Sequence, residues 1–215
     1  MSNTRGKFIT FEGGEGAGKT TQAERLATAL ERNGYEVLHT REPGGTFGAE
    51  AIRDLVLSGT HERWSGMTEL LLMYAARIDH IEKLIEPALA RGVWVISDRF
   101  YDSTMAYQGY ARGVDIDRIN AVHDAVMNGF APDLTILFDI DPILSQKRVE
   151  TRGEELSRFD SETLDFHKKI RTAFLAIADK EPGRVKIVDA ASSRGDISTQ
   201  ILRIVADSLD GVKFV

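Results

Sequence analysis

The chain contains no cysteine among its 215 residues, which excludes both a disulfide framework and a thiolate metal site. It also has no run of about eighteen apolar residues, and residues 1–5 lack the apolar core of a signal peptide. We therefore expect a soluble, cytoplasmic protein. Internal repeats, low-complexity segments and long Pro- or Ser-rich linkers are absent as well, so residues 1–215 are predicted to form a single domain.

The chain also has fewer basic residues than acidic ones. The chain has 27 Lys and Arg against 33 Asp and Glu, a formal net charge of −6. Proteins that bind nucleic acids or membrane surfaces by general electrostatic attraction usually carry basic patches that raise the net charge. We therefore expect neither nucleic acid nor a membrane as a partner, although a local basic pocket is compatible with this composition.

The strongest motif is a glycine-rich run that matches the phosphate-loop pattern of Gly, four residues and then Gly-Lys-Ser/Thr. The run comprises Gly13, Gly14, Glu15, Gly16, Ala17, Gly18, Lys19, Thr20 and Thr21. An apolar stretch precedes it, and an amphipathic helical pattern follows it. In such a loop, backbone N–H groups bind a polyphosphate, Lys19 reaches the β- and γ-phosphates, and the Thr20 hydroxyl is a Mg²⁺ ligand. The motif predicts a nucleoside triphosphate site.

Five short apolar runs alternate with helix-like stretches along the chain. They are Lys7–Glu12, Glu36–Arg41, Val93–Asp98, Leu134–Asp139 and Val185–Asp189. This alternation predicts an α/β, three-layer fold of the P-loop NTPase type, in which a five-stranded parallel sheet carries helices on both faces. Several runs end on a charged residue, which suits the strand ends where open α/β sheets bind their ligands.

The third apolar run ends in Asp98 and Arg99. An acidic residue that closes an apolar strand often holds Mg²⁺ beside a phosphate loop, so Asp98 is a candidate metal ligand. Arg99 is costly next to a buried strand end unless an anion neutralises it, and a second phosphate, on an acceptor, fits that role. The alternative is an Asp–Arg ion pair that ties two loops together.

Two stretches, one on either side of this strand, are weaker indicators of function. Residues 67–90 have the apolar spacing of a long helix, and Arg77 within it is by default a solvated side chain. Residues 101–109 are rich in aromatic and hydrogen-bonding groups. They suit either a pocket for a planar, polar ring or an ordinary loop, and composition does not separate the two.

Three arginines follow the fourth strand within eleven residues, namely Arg148, Arg152 and Arg158. Arginines stabilise a phosphoryl group during transfer, and closure of a segment over the site excludes water. The spacing therefore suits a short arginine-bearing lid at about residues 148–160. A solvated helix end of mixed charge accounts for the same pattern equally well.

Phosphate loops occur in phosphotransferases, switch GTPases and partitioning or motor-like ATPases. The chain has no Asn-Lys-x-Asp tetrad, with which switch GTPases bind guanine. Glu12 stands before the first loop glycine, whereas partitioning ATPases place an extra lysine at the head of the loop. A small kinase needs a second anion pocket and a cationic lid, because it holds two anionic substrates in line. These features favour a kinase.

Several segments of the chain together resemble the bacterial thymidylate kinases. They are residues 11–21 (FEGGEGAGKTT), 40–46 (TREPGGT), 74–77 (YAAR), 98–104 (DRFYDST), 106–109 (AYQG), 132–135 (PDLT) and 152–154 (RGE). They fall in the family's order and span nearly the whole chain. The resemblance implies phosphorylation of dTMP to dTDP with ATP and Mg²⁺, by direct in-line transfer, in a homodimer. A P-loop regulatory ATPase and a kinase of another nucleoside monophosphate are the alternatives.

The resemblance also implies roles for individual side chains. The residues implied for dTMP are Glu15, Arg53, Met73, Arg77, Arg99, Ser103, Thr104, Tyr107 and Gln108. Their implied contacts include the sugar 3′-hydroxyl for Glu15, the phosphate for Arg53 and Arg99, the thymine ring for Arg77 and Thr104, and the sugar 2′ position for Tyr107. Met73 stands where the family often stacks a Phe on thymine, and a thioether can also pack on a ring face.

The resemblance further implies where the catalytic cation comes from. The family supplies it either from the position after the acidic residue of the loop or from the lid. Gly16 follows Glu15 here, so the chain is similar to the second design, with Arg152 as the first choice. The full catalytic set implied is Glu15, Lys19, Arg99, Arg148, Arg152 and Arg158.

Overall fold

The protein folds around a five-stranded parallel sheet. The structure, a computed structural model, describes residues 5–60, 62–152, 158–209, 211, 212 and 214, without the side chain of residue 152. The strands are Phe8–Gly13 (β1), Val37–Arg41 (β2), Trp94–Asp98 (β3), Leu134–Asp139 (β4) and Val185–Asp189 (β5). All pair in parallel, in the order β2-β3-β1-β4-β5. The predicted sheet is confirmed, and every residue of its central strand β1 is buried, as its apolar sequence requires.

Helices cover both faces of this sheet. The α-helices are Lys19–Arg32 (α1), Phe47–Leu57 (α2), Gly66–His80 (α3), Glu86–Ala90 (α4), Tyr101–Thr104 (α5), Ile116–Met127 (α6), Pro142–Arg152 (α7), Leu164–Lys180 (α8) and Arg194–Ser208 (α9). Two π-helical segments, Ile81–Ile85 and Met105–Ala111, follow α3 and α5. The long helix expected over residues 67–90 therefore contains a π-helical turn. The loop interpretation of residues 101–109 is wrong, because this stretch is helical.

The helices differ in how their first turns are satisfied. A side-chain oxygen accepts a backbone N–H at the start of α2, α3, α6, α8 and α9, and the capping residues are Thr46, Ser65, Asp115, Thr163 and Ser193. Helix α1 instead follows Gly18, which has a φ of 90° and provides no side-chain cap. An uncapped helix N-terminus presents free N–H groups and the positive end of the helix dipole, so it is suited to an anion.

Apolar side chains pack on both faces of the sheet. One cluster joins α1 and α9 to one face, and two others pack α3, α8 and the second π-helical segment against the opposite face. Among the described residues, no helix has the length and apolar character needed to cross a membrane. The packing fixes the carboxyl ends of β1, β2 and β3 at one edge of the sheet, where the candidate site lies.

Candidate active site

The phosphate loop connects β1 to α1, as the sequence predicts. Gly16 has a φ of 68°, and a Cβ there would lie 2.6 Å from the Ser145 carbonyl oxygen, so a larger residue does not fit. Lys19 Nζ donates to the carbonyl oxygens of Gly13 and Gly14, at 3.1 and 2.7 Å. The loop thus encloses the ammonium group at the point where phosphates are expected.

The Lys19 ammonium lies among charges of both signs. Burial lowers the pKa of Lys19 to about 8, and the nearby Arg99 guanidinium lowers it further, against the opposing effect of the Asp98 and Glu15 carboxylates. A bound polyphosphate would raise this pKa, because an opposite charge favours the protonated amine. Anion binding and protonation of Lys19 are therefore linked.

The two predicted metal ligands lie together. The Thr20 hydroxyl, in the first turn of α1, donates to Asp98 Oδ2 at 2.8 Å, at the end of β3. In the part of the chain that the structure describes, no group of three or more His, Cys, Asp or Glu could hold a metal ion. One hydroxyl and one carboxylate fit Mg²⁺, which usually keeps several waters and binds phosphate oxygens rather than a cage of protein ligands.

Arg99 connects the phosphate loop to the second π-helical segment. Its Nη1 donates to the Gly13 carbonyl oxygen at 2.9 Å and to Ser103 Oγ at 3.1 Å, and its Nη2 donates to Glu15 Oε1 at 3.0 Å. The Tyr107 hydroxyl donates to the same Glu15 oxygen at 2.5 Å, and the guanidinium lies 5.0 Å from the Tyr107 ring centre. The side chains of four predicted site residues, Glu15, Arg99, Ser103 and Tyr107, therefore form one cluster.

The protonation states of Glu15 and Tyr107 follow from their burial and from the groups next to them. Burial acts to raise the pKa of Glu15, but Arg99, Lys19 and the Tyr107 hydrogen bond outweigh it, so the pKa is lowered. Burial raises the pKa of Tyr107 well above its usual range. The hydroxyl therefore stays protonated and donates a hydrogen bond to Glu15. At neutral pH the cluster consists of an ionised Glu15 held by a cation and a neutral phenol.

Two clefts meet at this cluster. The first, about 820 Å³, is lined by the phosphate loop, the start of α1, Arg148 and Arg194. The second, about 570 Å³, is lined by residues 39–42 at the end of β2, by Phe159 and by Arg53, whose Nη1 donates to the Pro43 carbonyl oxygen at 2.7 Å. The residues that line both clefts are Glu15, Thr20, Asp98, Arg99 and Asp160. The fold thus provides two spaces for ligands with a charged border between them.

Arg77 is buried, and the default interpretation as a solvated side chain is wrong. It is 1% exposed, and its Nε donates to Glu42 Oε2 at 2.7 Å while its Nη1 donates to Thr104 Oγ1 at 3.1 Å. Its guanidinium also lies 5.0 and 5.3 Å from the ring centres of Tyr74 and Phe100. A paired carboxylate and aromatic faces offset the cost of burying this cation.

The remaining predicted base-site residues lie close to the lid segment and line neither of the two clefts. Met73 packs in the same apolar cluster as Tyr107 and Phe159, and the Phe159 ring stands edge-on to Tyr107 at 5.5 Å. Gln108 Nε2 donates to the buried Glu69 at 2.7 Å, and Gln108 Oε1 has no hydrogen-bond partner among the described residues. Phe159 and Glu69 are neighbours of the site that the sequence analysis missed.

The two lid arginines whose side chains the structure describes, Arg148 and Arg158, have different surroundings. Arg148 lines the first cleft, and its Nη1 donates to the Ala190 carbonyl oxygen at 2.9 Å. Arg158 is buried and donates to the Glu69 carboxylate. The side chain of Arg152, the first choice for the catalytic cation, lies outside the described residues. In this arrangement Arg148 reaches the first cleft, whereas Arg158 anchors the end of the lid segment to α3.

A further acidic residue, Glu12, lies under the site and binds the segment that carries Arg99 and Ser103. Glu12 is fully buried and accepts hydrogen bonds from the Phe100 N–H at 2.7 Å and from the Ser103 hydroxyl at 2.6 Å. Burial is the main cause that raises the pKa of Glu12 to about 7, and the Asp102 carboxylate adds to it. The sequence analysis gives Glu12 no role in the site, because a charged residue at a strand end gives no sign of burial.

Comparison with known proteins gives a consistent result. The family model for thymidylate kinase matches residues 11–201. A thymidylate kinase of Caulobacter vibrioides is 48% identical over 206 residues, which cover 96% of this chain and 99% of that protein. One of Bacillus pumilus is 44% identical over 95% of this chain and 97% of its own. The crystal structure of thymidylate kinase from Ehrlichia chaffeensis superposes with a TM-score of 0.75 at 33% identity, covering 94% of this chain and 99% of that one.

Proposed function

The chain belongs to the thymidylate kinase family, and we propose that its two clefts are the ATP and dTMP sites of a kinase that converts dTMP to dTDP. The observation that carries this proposal is the shared border of the clefts, where Thr20, Asp98 and Arg99 stand. A kinase must bring a donor and an acceptor phosphate together in line and stabilise the charge between them. The border supplies the charged groups for this task.

The first cleft binds ATP in this proposal. The residues that contact its phosphates are Gly13, Gly14, Glu15, Gly16, Ala17, Gly18, Lys19, Thr20 and Thr21. Lys19 neutralises the β- and γ-phosphates, and the uncapped N-terminus of α1 donates backbone N–H groups to them. Thr20 and Asp98 are the residues that would hold Mg²⁺, which when bound neutralises phosphate charge.

The second cleft binds the phosphate and sugar of dTMP. Arg99 and Arg53 face it and hold the acceptor phosphate, with Ser103 fixing Arg99 in place. Glu15 accepts a hydrogen bond from the sugar 3′-hydroxyl through its carboxylate. Tyr107, whose hydroxyl already contacts Glu15, fills the space that a ribose 2′-hydroxyl would need. The enzyme therefore favours deoxyribonucleotides.

The thymine ring contacts the buried residues next to this cleft. Arg77 donates to a ring carbonyl, Thr104 contacts the ring edge, and Met73 packs on its face. Gln108 completes the base site. The burial of Arg77, Thr104 and Gln108 supports this assignment, because polar groups held away from water discriminate strongly between ligands.

Phosphoryl transfer occurs directly between the two nucleotides, without a covalent enzyme intermediate. The acceptor phosphate oxygen attacks the γ-phosphorus, and the bond from this phosphorus to the β–γ bridging oxygen breaks, so that ADP leaves with the electron pair. Lys19 and Arg99 hold the two phosphates in line. We assign the additional cation for the transition state to Arg152 in the lid, at about residues 148–160 of a single kinase domain. Arg148, which lines the ATP cleft, is the second choice, and Arg158 is the third. We also propose that the reaction takes place in the cytoplasm, where ATP is available.

The experiment that tests this function is ADP release from Mg·ATP with the acceptor varied. The acceptors are none, dTMP, dUMP, TMP with ribose, dCMP and dAMP. Strong stimulation by dTMP and little by the ribose form is expected. Stimulation mainly by dCMP or dAMP would indicate a kinase of another nucleotide. ADP release that no acceptor changes would identify a regulatory ATPase instead.

The affinity for ATP should depend on pH through Lys19. Lys19 without a ligand has a pKa of about 8, and bound phosphates favour its protonated form. The affinity for ATP is therefore highest below this pH and falls as the pH rises above it. We expect the Kd for Mg·ATP to increase about fivefold between pH 8 and 9, measured by calorimetry. Lys19→Arg does not titrate in this range and should give a flat profile. An equal rise in that variant would contradict the assignment.

We also propose that the protein is a homodimer, formed through α2, α3 and α6. Helix α3 packs against both α2 and α6. Phe47 at the start of α2 is 96% exposed, and Leu55, Leu71 and Val126 on the three helices are also exposed. Large exposed apolar side chains on neighbouring helices are typical of an isologous interface between two copies.

The dimer proposal predicts that Phe47→Glu shifts the protein toward monomers. A charge at the centre of an apolar interface is expected to weaken dimerisation about tenfold or more, which light scattering over a concentration series measures. Ile187→Glu is the matched control, because Ile187 is exposed on β5, a strand at the edge of the sheet. A monomeric wild-type protein, or equal weakening by both variants, would refute this interface.

A further inference from the structure

Arg77 belongs to a buried polar network in which the other three members have no role in the proposed mechanism. Its Nε donates to Glu42 Oε2 at 2.7 Å, and His80 Nδ1 lies 3.1 Å from Glu42 Oε1. His80 Nε2 lies 2.8 Å from Thr40 Oγ1. All four side chains are buried. The network therefore runs without a break from the end of β2 to the last turn of α3.

The pairing of Arg77 with Glu42 is incomplete. An arginine and a carboxylate commonly form two parallel hydrogen bonds, one from Nε and one from an Nη. Here Oε1 faces His80 instead, and Arg77 Nη2 is buried with no hydrogen-bond partner among the described residues. A buried donor without a partner costs free energy, so such a group points to a ligand that completes it.

We propose that Glu42 and His80 are positioning residues for base recognition. Glu42 fixes the guanidinium through Nε, and His80 occupies Oε1 so that Arg77 Nη2 stays available to a carbonyl oxygen of the thymine ring. The proposal rests on the proposed function, which assigns Arg77 to the base. Because cytosine carries an amino donor where thymine carries a carbonyl at the 4-position, the network also favours dTMP over dCMP.

The proton positions follow from the partners of His80. A carboxylate only accepts, so His80 donates from Nδ1 to Glu42. In the neutral ring Nε2 then accepts, and the Thr40 hydroxyl donates to it. A Cβ at Gly45 would lie 2.5 Å from His80 Nε2 and 2.6 Å from Thr40 Oγ1, so only glycine lets this turn pack on the imidazole. The ring is thus held on both nitrogens and by the turn.

The first test compares two replacements of His80. His80→Leu removes the donor to Oε1, which leaves Glu42 able to pair with both Nε and Nη2 of Arg77. We expect the KM for dTMP to rise about tenfold, the effect of one lost charge-assisted hydrogen bond. The KM for ATP and kcat at saturating dTMP should stay within about twofold. His80→Asn keeps an N–H in place of Nδ1 and is expected to restore the wild-type KM.

Two further readouts separate positioning from a merely structural role. The preference for dTMP over dCMP, measured as a ratio of kcat/KM values, should fall about tenfold in His80→Leu, because dCMP gains nothing from Nη2. In an Arg77→Met background, His80→Leu should cause no further rise in the KM for dTMP. Additive effects, or an equal rise in the KM for ATP, would overturn the proposal.

A milder variant covers the case in which His80→Leu does not fold. Thr40→Val keeps the shape of the side chain but removes the group that fixes the imidazole proton, and it should raise the KM for dTMP about threefold. The control is Thr172→Val, because among the described residues the exposed Thr172 hydroxyl donates only to a carbonyl in its own helix. An unchanged KM in Thr40→Val overturns the proposal. A wild-type enzyme that fails to phosphorylate dTMP refutes the proposed function instead.

Discussion

Replacing Lys19 with methionine is expected to lower kcat by about 10²–10³-fold, the effect of removing one preorganised donor from a transition state. Lys19 Nζ is held inside the phosphate loop by two carbonyl oxygens, so it meets the β- and γ-phosphates without reorganisation. Methionine has a similar length but no charge. Steady-state kinetics with saturating ATP and dTMP measure the effect.

The matched control for this variant is Lys180→Met, which removes an exposed lysine from the last turn of α8. It should retain wild-type kcat. Circular dichroism checks that Lys19→Met remains folded, because the loop loses the group that joins its carbonyls. A folded Lys19→Met enzyme with kcat within about threefold of the wild type would contradict the role given to this lysine.

Replacing Arg99 with methionine is expected to lower kcat/KM for dTMP by about 10²–10³-fold, as truncation of a buried charge partner commonly does. Two losses combine. The acceptor phosphate loses its main cation, and Glu15 loses the guanidinium that acts most strongly to lower its pKa against burial. The Glu15 pKa therefore rises in this variant, which weakens its hold on the sugar. The KM for ATP should change much less.

Arg25→Met is the control for Arg99→Met. Arg25 is exposed on α1 and, within the described part of the chain, donates only to the Arg194 carbonyl oxygen and the Ser198 hydroxyl. It should leave kcat/KM for dTMP unchanged. A rise in the KM for ATP alone, with that for dTMP unaffected, would show that Arg99 serves the donor phosphates and would move the acceptor site away from it.

The elements that sequence analysis predicted well are those governed by local pattern. Short apolar runs with charged ends located all five strands. The signal is clearest for β1, β3 and β4, because strands inside a parallel sheet are buried on both faces. The glycine-rich motif correctly predicted a tight loop between β1 and α1. Glycine is needed at position 16 because the backbone there lies close to the Ser145 carbonyl oxygen. Asp98 and Thr20 met as expected, because strand ends and the loop share one edge of the sheet.

The features that sequence analysis missed depend on partners distant in the chain. Glu42 and Glu69 look like ordinary surface acids in the sequence, and only the packing of α3 buries them against Arg77 and Arg158. The helical spacing alone predicts a solvated Arg77, and only the resemblance of residues 74–77 to the family indicates a role in base binding. The π-helical turn at Ile81–Ile85 could not be recognised in the sequence, because one extra residue per turn hardly alters the spacing of the apolar residues. Burial of charge is decided by tertiary structure.

In the proposed reaction the γ-phosphoryl group of ATP passes directly to dTMP. The most direct measurement incubates the protein with dTMP and ATP labelled at the γ-phosphate, and separates the labelled products. Direct transfer predicts that label appears in dTDP, with one ADP formed for each dTDP and little free labelled phosphate. Label that accumulates as inorganic phosphate while dTMP stays unchanged would contradict the claim and identify an ATPase.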